Sequence, residues 1–257
     1  MRILIVGDVH GRFSDLSEFL RQIQSDYGID SAIQVGDFGF YRDCMALLHL
    51  KRIRFPVPLR VIDGNHEDHI WLRRMLMAGS ARKWKEESNL IYQPRSTIER
   101  LGASTIGFLG GALHVDRPQQ HNLLARFPNY ILSHQSKKAA ALFNREQPDL
   151  IVTHSCPCGI GIGMLGAPEF ASGVTEYIFN AGFDAGPDTD CGETELKKLW
   201  DDLKHKPGGW VFGHFHRIHN TVIKGTRFVC VGDDLASTQH TLVLWDTDEK
   251  KLLTVHR

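Results

Sequence analysis

Apolar residues recur along the first third of the chain in two alternating patterns. Short apolar runs predict buried strands of a parallel sheet over Arg2–Val6, Ala32–Val35 and Leu59–Ile62. Between them, apolar residues at helical spacing predict helices over Phe13–Tyr27, Asp43–Arg52 and Asp68–Met77. This order of strands and helices is typical of parallel βαβ units with right-handed crossovers.

The pattern is less regular beyond residue 80. Further strands are expected at Leu90–Gln93, Thr97–Leu101, Thr105–Leu109, Leu150–Thr153 and Trp210–Phe212. Helices are expected at Ser136–Arg145, with Ser136 as the N-cap, and at Glu193–His205. Antiparallel strands are expected near His219–Ile223, Arg227–Val231, Thr241–Trp245 and Leu252–His256. A loop or a short helix is expected over Leu113–Pro128, and a long loop over Cys156–Gly186. We expect substrate specificity to lie in Leu113–Asn122 and Cys156–Gly186.

Composition narrows the class of protein. The 257 residues, 42% of them hydrophobic, suffice for one α/β domain over 1–257, and no linker or repeat divides them. The formal net charge is zero, whereas proteins that bind nucleic acids or membrane surfaces usually carry an excess of basic residues. The charge therefore disfavours both classes. No apolar run approaches the roughly 18 residues of a membrane span. A strand that begins at residue 2 argues against a signal peptide, and five scattered cysteines favour a reducing, cytoplasmic compartment.

Polar side chains follow five of the predicted strands at the point where each strand ends. They are Asp8, His10, Asp37, Asn65, His66, His154, His214 and His216. The carboxyl ends of parallel strands lie at one edge of a sheet, which is where open α/β sheets bind ligands. A lone Asp or His at a strand end is usually a cap or a surface group. The recurrence of these residue types at successive strand ends predicts a functional site instead.

Seven of these side chains form a donor set typical of metal sites. Carboxylate, amide and imidazole donors without a thiolate suit Mn, Fe, Zn or similar divalent ions, and Mn is the expected one. Seven donors are too many for one ion and about right for two that share a carboxylate. Two metals about 3.5–4 Å apart are the usual arrangement for in-line displacement at phosphorus.

Five ordered blocks of the sequence resemble the calcineurin-like metallophosphoesterase superfamily. They are Gly7-Asp8-Val9-His10, Gly36-Asp37, Gly64-Asn65-His66-Glu67, His154 and Gly213-His214-Phe215-His216. The resemblance implies an α/β fold, a four-layer β-sandwich flanked by helices, with a dinuclear metal site at the strand carboxyl ends. It also implies hydrolysis of a phosphomonoester or phosphodiester by a metal-bridging hydroxide. The substrate would then be a phosphorylated small molecule or nucleotide.

The resemblance also implies a role for each residue. One metal would be held by Asp8, His10, Asp37 and His216. The other would be held by Asp37, Asn65, His154 and His214, so that Asp37 is shared. His66 would lie beside the pair as the general acid to the leaving oxygen or as a phosphate donor. The structural alternative for His66 is a group that only orients a ligand.

One departure from the superfamily pattern leaves the branch open. The protein-phosphatase and dinucleoside-polyphosphatase branch has an Asp-Arg-Gly run after the second Gly-Asp. Here Phe38-Gly39-Phe40-Tyr41-Arg42 stands in its place, so Arg42 is the candidate for the phosphate-binding arginine. Two other functions are alternatives. A nuclease of the same superfamily is disfavoured by the neutral charge, and a non-catalytic scaffold would be expected to have lost ligands.

Overall fold

Two six-stranded sheets form the centre of this computed structural model, which describes residues 1–113, 130–162, 192–233, 235 and 241–256. The strands are β1 (Arg2–Val6), β2 (Ser31–Gln34), β3 (Leu59–Val61), β4 (Leu90–Tyr92), β5 (Thr97–Leu101), β6 (Ser104–Leu109), β7 (Leu150–Thr153), β8 (Gly209–Phe212), β9 (His219–Ile223), β10 (Thr226–Cys230), β11 (Thr241–Asp246) and β12 (Lys251–His256). The helices are α1 (Phe13–Tyr27), α2 (Arg42–Leu50), α3 (His69–Met77), α4 (Ser80–Ser88), α5 (Ser133–Glu146) and α6 (Thr194–Asp202).

Both sheets are mixed. The first has the order β12-β11-β1-β2-β3-β4, in which β1 to β4 are parallel and the two C-terminal strands are antiparallel. The second has the order β5-β6-β7-β8-β10-β9, in which the four central strands are parallel. The βαβ start and the β-rich tail predicted from the sequence are therefore confirmed.

The alternation of side chains along β1 explains the layers. Ile3 and Ile5 pack between the two sheets, whereas Leu4 and Val6 pack towards α1 on the outer face. Helices α5 and α6 cover the outer face of the second sheet through a cluster that includes Phe143. The order of helix, sheet, sheet and helix confirms the predicted α/β sandwich.

The register of the first sheet brings three strand ends to one level. Val6 lies opposite Gln34, and Gln34 lies opposite Val61. Because the three strands are parallel, the residues that follow each of them meet at one edge of the sheet. Strands β7 and β8 of the second sheet are parallel neighbours as well, with Val152 opposite Val211.

Two local predictions differ from the structure. Helix α4 was not predicted, because Trp84 is the one large apolar residue in its nine and no hydrophobic stripe marks it. Helix α5 begins at Ser133, not after Ser136, and its N-cap is Leu132. The Leu132 N–H donates to Gln135 Oε1 at 2.9 Å, while the Ser136 hydroxyl lies within hydrogen-bond distance of the Ser133 carbonyl, at 3.0 Å, and of the Glu195 carboxylate.

Some predictions fall outside the structural description. The loops expected at 113–128 and 156–186 lie, beyond Leu113 and Ile162, outside the described residues. A single domain over residues 1–257 stays a prediction. None of the helices in the described ranges is long and apolar enough to cross a membrane.

Packing of α1 on β1 can be tested with two matched leucines. Leu20 of α1 is fully buried, whereas Leu50 at the end of α2 is 74% exposed. We expect Leu20→Ala to lower the free energy of unfolding by about 2–5 kcal/mol, because it removes buried methyl groups and leaves a cavity. Leu50→Ala should change it by no more than about 0.5 kcal/mol. Urea unfolding followed by circular dichroism measures both, and equal losses would contradict this packing.

Candidate metal centre

The turns that follow β1, β2, β3, β7 and β8 meet where the two sheets face each other. The Val9 and His10 N–H groups donate to the Asp37 carbonyl at 3.0 and 2.8 Å, which joins the first turn to the second. The Gly213 N–H donates to the His154 carbonyl at 2.9 Å, which joins the turns of the second sheet. Backbone hydrogen bonds thus fix the strand ends before any side chain is considered.

Four of the seven predicted ligands have a left-handed backbone. They are His10, Asp37, His214 and His216, with φ values of 49°, 54°, 69° and 50°. Non-glycine residues adopt this conformation uncommonly, although Asp and His do so more often than most. Such a residue costs about 1–3 kcal/mol and is held by its surroundings, typically at functional sites. The chain turns sharply at these strand ends.

Two glycines allow the strand ends to approach one another. A Cβ on Gly213 would lie 2.5 Å from Asp8 Oδ1, and a Cβ on Gly64 would overlap Asp37 Oδ1 and its backbone N. Neither contact is tolerable for a real side chain. Glycine at these two positions is therefore required for the two carboxylates to occupy the space between the turns.

Asp8, His10 and His216 form one side of the cluster. Asp8 Oδ2 lies 3.0 Å from His216 Nε2 and 3.9 Å from His10 Nε2, and the two ring nitrogens are 3.5 Å apart. The other oxygen, Asp8 Oδ1, accepts a hydrogen bond from the His214 N–H at 3.2 Å. His10 and His216 are partly exposed, so this side is open to solvent.

His154 organises the buried side. Its Nδ1 donates to the Val35 carbonyl at 2.9 Å, so Nε2 is the nitrogen that faces the cluster. Nε2 lies 3.0 Å from Asn65 Oδ1 and 3.4 Å from Asp37 Oδ2. The His214 ring stands edge-on to the His154 ring, with centroids 5.0 Å apart. All seven predicted ligands thus lie in one connected cluster; their role as ligands stays a prediction.

The cluster is a good fit for cations. Asp8 and Asp37 are 2% and 1% exposed, and among the described residues they form ion pairs with histidines only. Asp8 Oδ2 is buried and makes no hydrogen bond of good geometry, in spite of its proximity to His216. Buried charges in proteins are paired or coordinate metals. Carboxylate, amide and imidazole donors without a thiolate suit divalent ions such as Mn, Fe or Zn.

Two groups of three residues are compact enough to hold an ion. They are Asp8 with His10 and His216, and Asp8 with Asp37 and His154, with donor atoms within 4.8 Å of one another. Both groups contain Asp8, whereas the resemblance implied that Asp37 is the shared carboxylate. The bridging role of Asp37 therefore stays a prediction.

The pKa values of the two buried histidines, His154 and His214, are shifted in opposite directions. Burial disfavours the charged form of His154, but the charge and hydrogen bond of Asp37, together with Asp8 and the Val35 carbonyl, outweigh burial and raise the pKa of His154 to about 10. Burial, and then the charge on His154, lowers the pKa of His214 to about 3. In the metal-free protein a proton on His154 thus partly neutralises the carboxylates. A bound cation would replace that proton.

His66 lies beside the cluster. Its N–H donates to Asp37 Oδ1 at 2.7 Å, and its ring centroid is 5.7 Å from that of His10. The side chain is half-buried. Its role as a general acid, a phosphate donor or an orienting group stays a prediction.

Glu67 has a role that was not assigned from the sequence. Its carboxylate accepts hydrogen bonds from the N–H groups of Phe38, Gly39 and Phe40 at 2.9, 3.2 and 2.5 Å. Glu67 therefore fixes the loop that follows Asp37. Its place in the Gly64-Asn65-His66-Glu67 block was the signal that could have identified it.

The loop held by Glu67 contains the residues that stand in place of the Asp-Arg-Gly run of the related branch. Phe38 and Phe40 are fully buried, and their rings pack 5.1 Å apart. Arg42 is the first residue of α2, and its side chain is exposed. No contact found among the described residues links Arg42 to the cluster, so its phosphate-binding role has no structural support.

Comparison with known proteins identifies the family. The chain belongs to the calcineurin-like phosphoesterase family, whose sequence model matches residues 1–218. This result confirms the superfamily predicted from the five blocks.

Solved structures with similar folds carry different names. TT1561 of Thermus thermophilus is similar with a TM-score of 0.60 at 15% identity, over 99% of this chain and 98% of that chain. A putative 5'-nucleotidase from Staphylococcus aureus, in complex with alpha-ketoglutarate, is similar with a TM-score of 0.53 at 15% identity, over 99% and 52%. GAP50, the anchor in the inner membrane complex of Plasmodium, has a TM-score of 0.50 at 10% identity, over 100% and 84%. At these identities the likeness shows the fold alone.

The close approach of Asp37 to Gly64 leads to a testable prediction. We expect Gly64→Ala to weaken Mn²⁺ binding by about 10–100-fold, because the new Cβ displaces the Asp37 carboxylate. Elemental analysis after loading and gel filtration measures the metal retained. Gly225→Ala is the control: a Cβ there would meet open space, although the positive φ of 82° makes the change cost some stability. This variant should keep its metal. A Gly64→Ala protein with wild-type metal content would contradict the prediction.

Proposed function

We propose that the protein is a metal-dependent phosphoesterase that hydrolyses a phosphomonoester or phosphodiester. The observation that supports this most directly is the convergence of seven oxygen and imidazole donors, two of which are buried carboxylates. Two divalent cations, with Mn²⁺ as the proposed metal, would stabilise negative charge on the phosphoryl oxygens and lower the pKa of bound water. The proposed substrate is a phosphorylated small molecule or nucleotide.

The residues of the chain fix the donors in advance. One cation is proposed to bind Asp8, His10, Asp37 and His216, and the other Asp37, Asn65, His154 and His214. The Val35 carbonyl holds His154 Nδ1, so that Nε2 is directed into the centre. The His214 N–H holds Asp8 Oδ1 and leaves Oδ2 for a cation. Donors that are already in place need little reorganisation when charge develops on the phosphoryl group.

We assign to His66 the transfer of a proton to the leaving oxygen. The Asp37 carboxylate accepts a hydrogen bond from the backbone N–H of His66. This bond fixes His66 relative to the proposed shared ligand. The side chain is half-buried beside His10, on the solvent-accessible side of the cluster. A group within reach of both solvent and the leaving oxygen can be reprotonated after each turnover.

Two alternatives are weaker. A non-catalytic scaffold has a precedent in the fold, since GAP50 of Plasmodium is an anchor, but this chain keeps a full set of candidate ligands. A nuclease would be expected to present a basic surface, whereas the formal net charge is zero. We also propose a cytoplasmic location, which is supported by the free thiols of Cys44 and Cys230.

Hydrolysis of chromogenic esters tests the proposed function. Mn²⁺-loaded protein should cleave p-nitrophenyl phosphate, its bis ester or both; a chelator should abolish the activity, and added Mn²⁺ should restore it. A panel of phosphomonoesters, cyclic nucleotides, dinucleoside polyphosphates, DNA and RNA then identifies the substrate class. Failure to cleave either chromogenic ester or any member of the panel would refute the proposal.

The role of His66 has a distinct kinetic signature. We expect His66→Ala to retain its metal and to lower kcat by about 10²–10⁴-fold for esters with poor leaving groups. The loss should be much smaller for p-nitrophenyl esters, whose leaving group needs no proton. His205, an exposed histidine, provides the control, and His205→Ala should leave kcat unchanged. An equal loss for all leaving groups would exclude the general-acid role.

A further inference from the structure

A cleft of about 470 Å³ opens beside α3, and we call it the α3 cleft. Its volume lies in the range of about 300–1,000 Å³ typical of small-molecule sites. Leu72, Leu76 and Met77 of α3 form an apolar part of its wall. Tyr92 and Arg95, at and beyond the end of β4, form another part. Met77 is 80% exposed, which is unusual for a large apolar side chain and leaves its flexible thioether available to a ligand.

Most of the polar groups that line the α3 cleft are already paired. The Asp63 carboxylate accepts two hydrogen bonds from Arg95, at 2.8 and 2.6 Å, and one from the Tyr92 hydroxyl at 3.0 Å. Arg95 also donates to the Tyr130 carbonyl at 2.6 Å and to Gln135 Oε1 at 3.2 Å. These bonds make this part of the wall rigid and electrically balanced.

His69 is the exception among the buried polar groups that line the cleft. Its side chain is 8% exposed, and its Nε2 is buried without a hydrogen-bond partner among the described residues. The ring nitrogen Nδ1 lies 3.7 Å from Asp63 Oδ2. That carboxylate favours the proton on Nδ1, which makes Nε2 an acceptor. Burial lowers the pKa of His69 to about 4, so the ring is neutral near pH 7.

The α3 cleft and the metal centre share one turn of the chain. Asp63 and His69 line the cleft, and Asn65 and His66, which lie between them in sequence, belong to the metal centre or stand beside it. One turn of the chain thus contributes residues to both sites. At the rim, Arg73 is exposed and adds a positive charge.

We propose that the α3 cleft binds the nucleoside part of a nucleotide substrate, with the base against Leu76 and Met77 and an N–H of the base donating to His69 Nε2. The cleft has the volume, the apolar wall and the buried acceptor that such a base requires. An unfilled hydrogen-bonding position on a buried ring is satisfied by a ligand that supplies the missing partner. The proposal rests on the proposed phosphoesterase function for the position of the phosphate, and it names the substrate class of that site.

Binding of nucleosides without phosphate tests the cleft independently of hydrolysis. Titration calorimetry or saturation-transfer NMR measures adenosine and uridine binding to the full chain, with ribose as the negative control. We expect about tenfold weaker binding in His69→Phe, which loses the acceptor and keeps a ring of similar shape. Leu76→Trp, which fills the cleft from a half-buried position, should abolish binding. Leu50→Trp on α2, 74% exposed, should bind as wild type does.

Two results would overturn the proposal. One is the absence of nucleoside binding to the wild-type protein, and the other is equal binding by wild type and Leu76→Trp. The second variant keeps the test decisive if the buried His69→Phe change prevents folding.

A kinetic comparison separates this proposal from the proposed function. Thymidine 5'-(p-nitrophenyl phosphate) and bis(p-nitrophenyl) phosphate are diesters with the same leaving group, and only the first carries a nucleoside. Leu76→Trp should raise KM for the first by about tenfold and lower kcat/KM for the second much less. An equal loss for both would contradict a nucleoside site. If wild type cleaves neither ester, the phosphoesterase function fails, while nucleoside binding still decides the role of the cleft.

Discussion

The burial of two carboxylates, Asp8 and Asp37, is the constraint on which the functional centre depends. Both lie at strand ends between two apolar sheets, where they are almost inaccessible to water. An uncompensated charge in such a place costs several kcal/mol. Without metal, the compensation available among the described residues comes from histidines, chiefly a proton on His154 and the pairing of His216 with Asp8. Divalent cations compensate the same charges more fully.

This constraint couples the centre to the packing of the whole sandwich. Asp8, Asp37 and Asn65 follow strands of the first sheet, whereas His154 and His214 follow strands of the second. The donors can therefore approach one another only after both sheets have formed and packed. Since the unfolded chain has no such site, bound metal should stabilise the folded state by mass action. The left-handed turns and close-packed glycines are the local consequences of bringing so many donors together.

Much of the fold follows from short-range pattern. The apolar run that contains Ile3 and Leu4 is visible in the sequence, and in the structure these two residues pack on opposite faces of the sheet. The helical spacing of Leu16 and Leu20 is visible too, and both residues pack in the core. The five ordered blocks likewise predicted which residues the structure brings together. Helix α4 escaped prediction because its surface is polar almost all round.

Features that depend on distant contacts were not predictable in this way. The hydrogen bonds between Glu67 and the loop at residues 38–40, and between Arg95 and Asp63, join positions about thirty residues apart. Such contacts produce no periodic pattern in the sequence. The α3 cleft depends on the second of these networks. The two long loops expected to carry specificity lie mostly outside the described residues, so their role stays a prediction.

The metal content of an Asp37→Asn variant is the most direct test of the proposed centre. Elemental analysis of Mn²⁺-loaded protein, after removal of free metal, should give close to two equivalents per wild-type chain. The variant keeps the shape of the side chain but removes a buried charge, and it should retain little or no metal while remaining folded. Wild-type metal content in Asp37→Asn would contradict the role of this carboxylate and the dinuclear centre built around it.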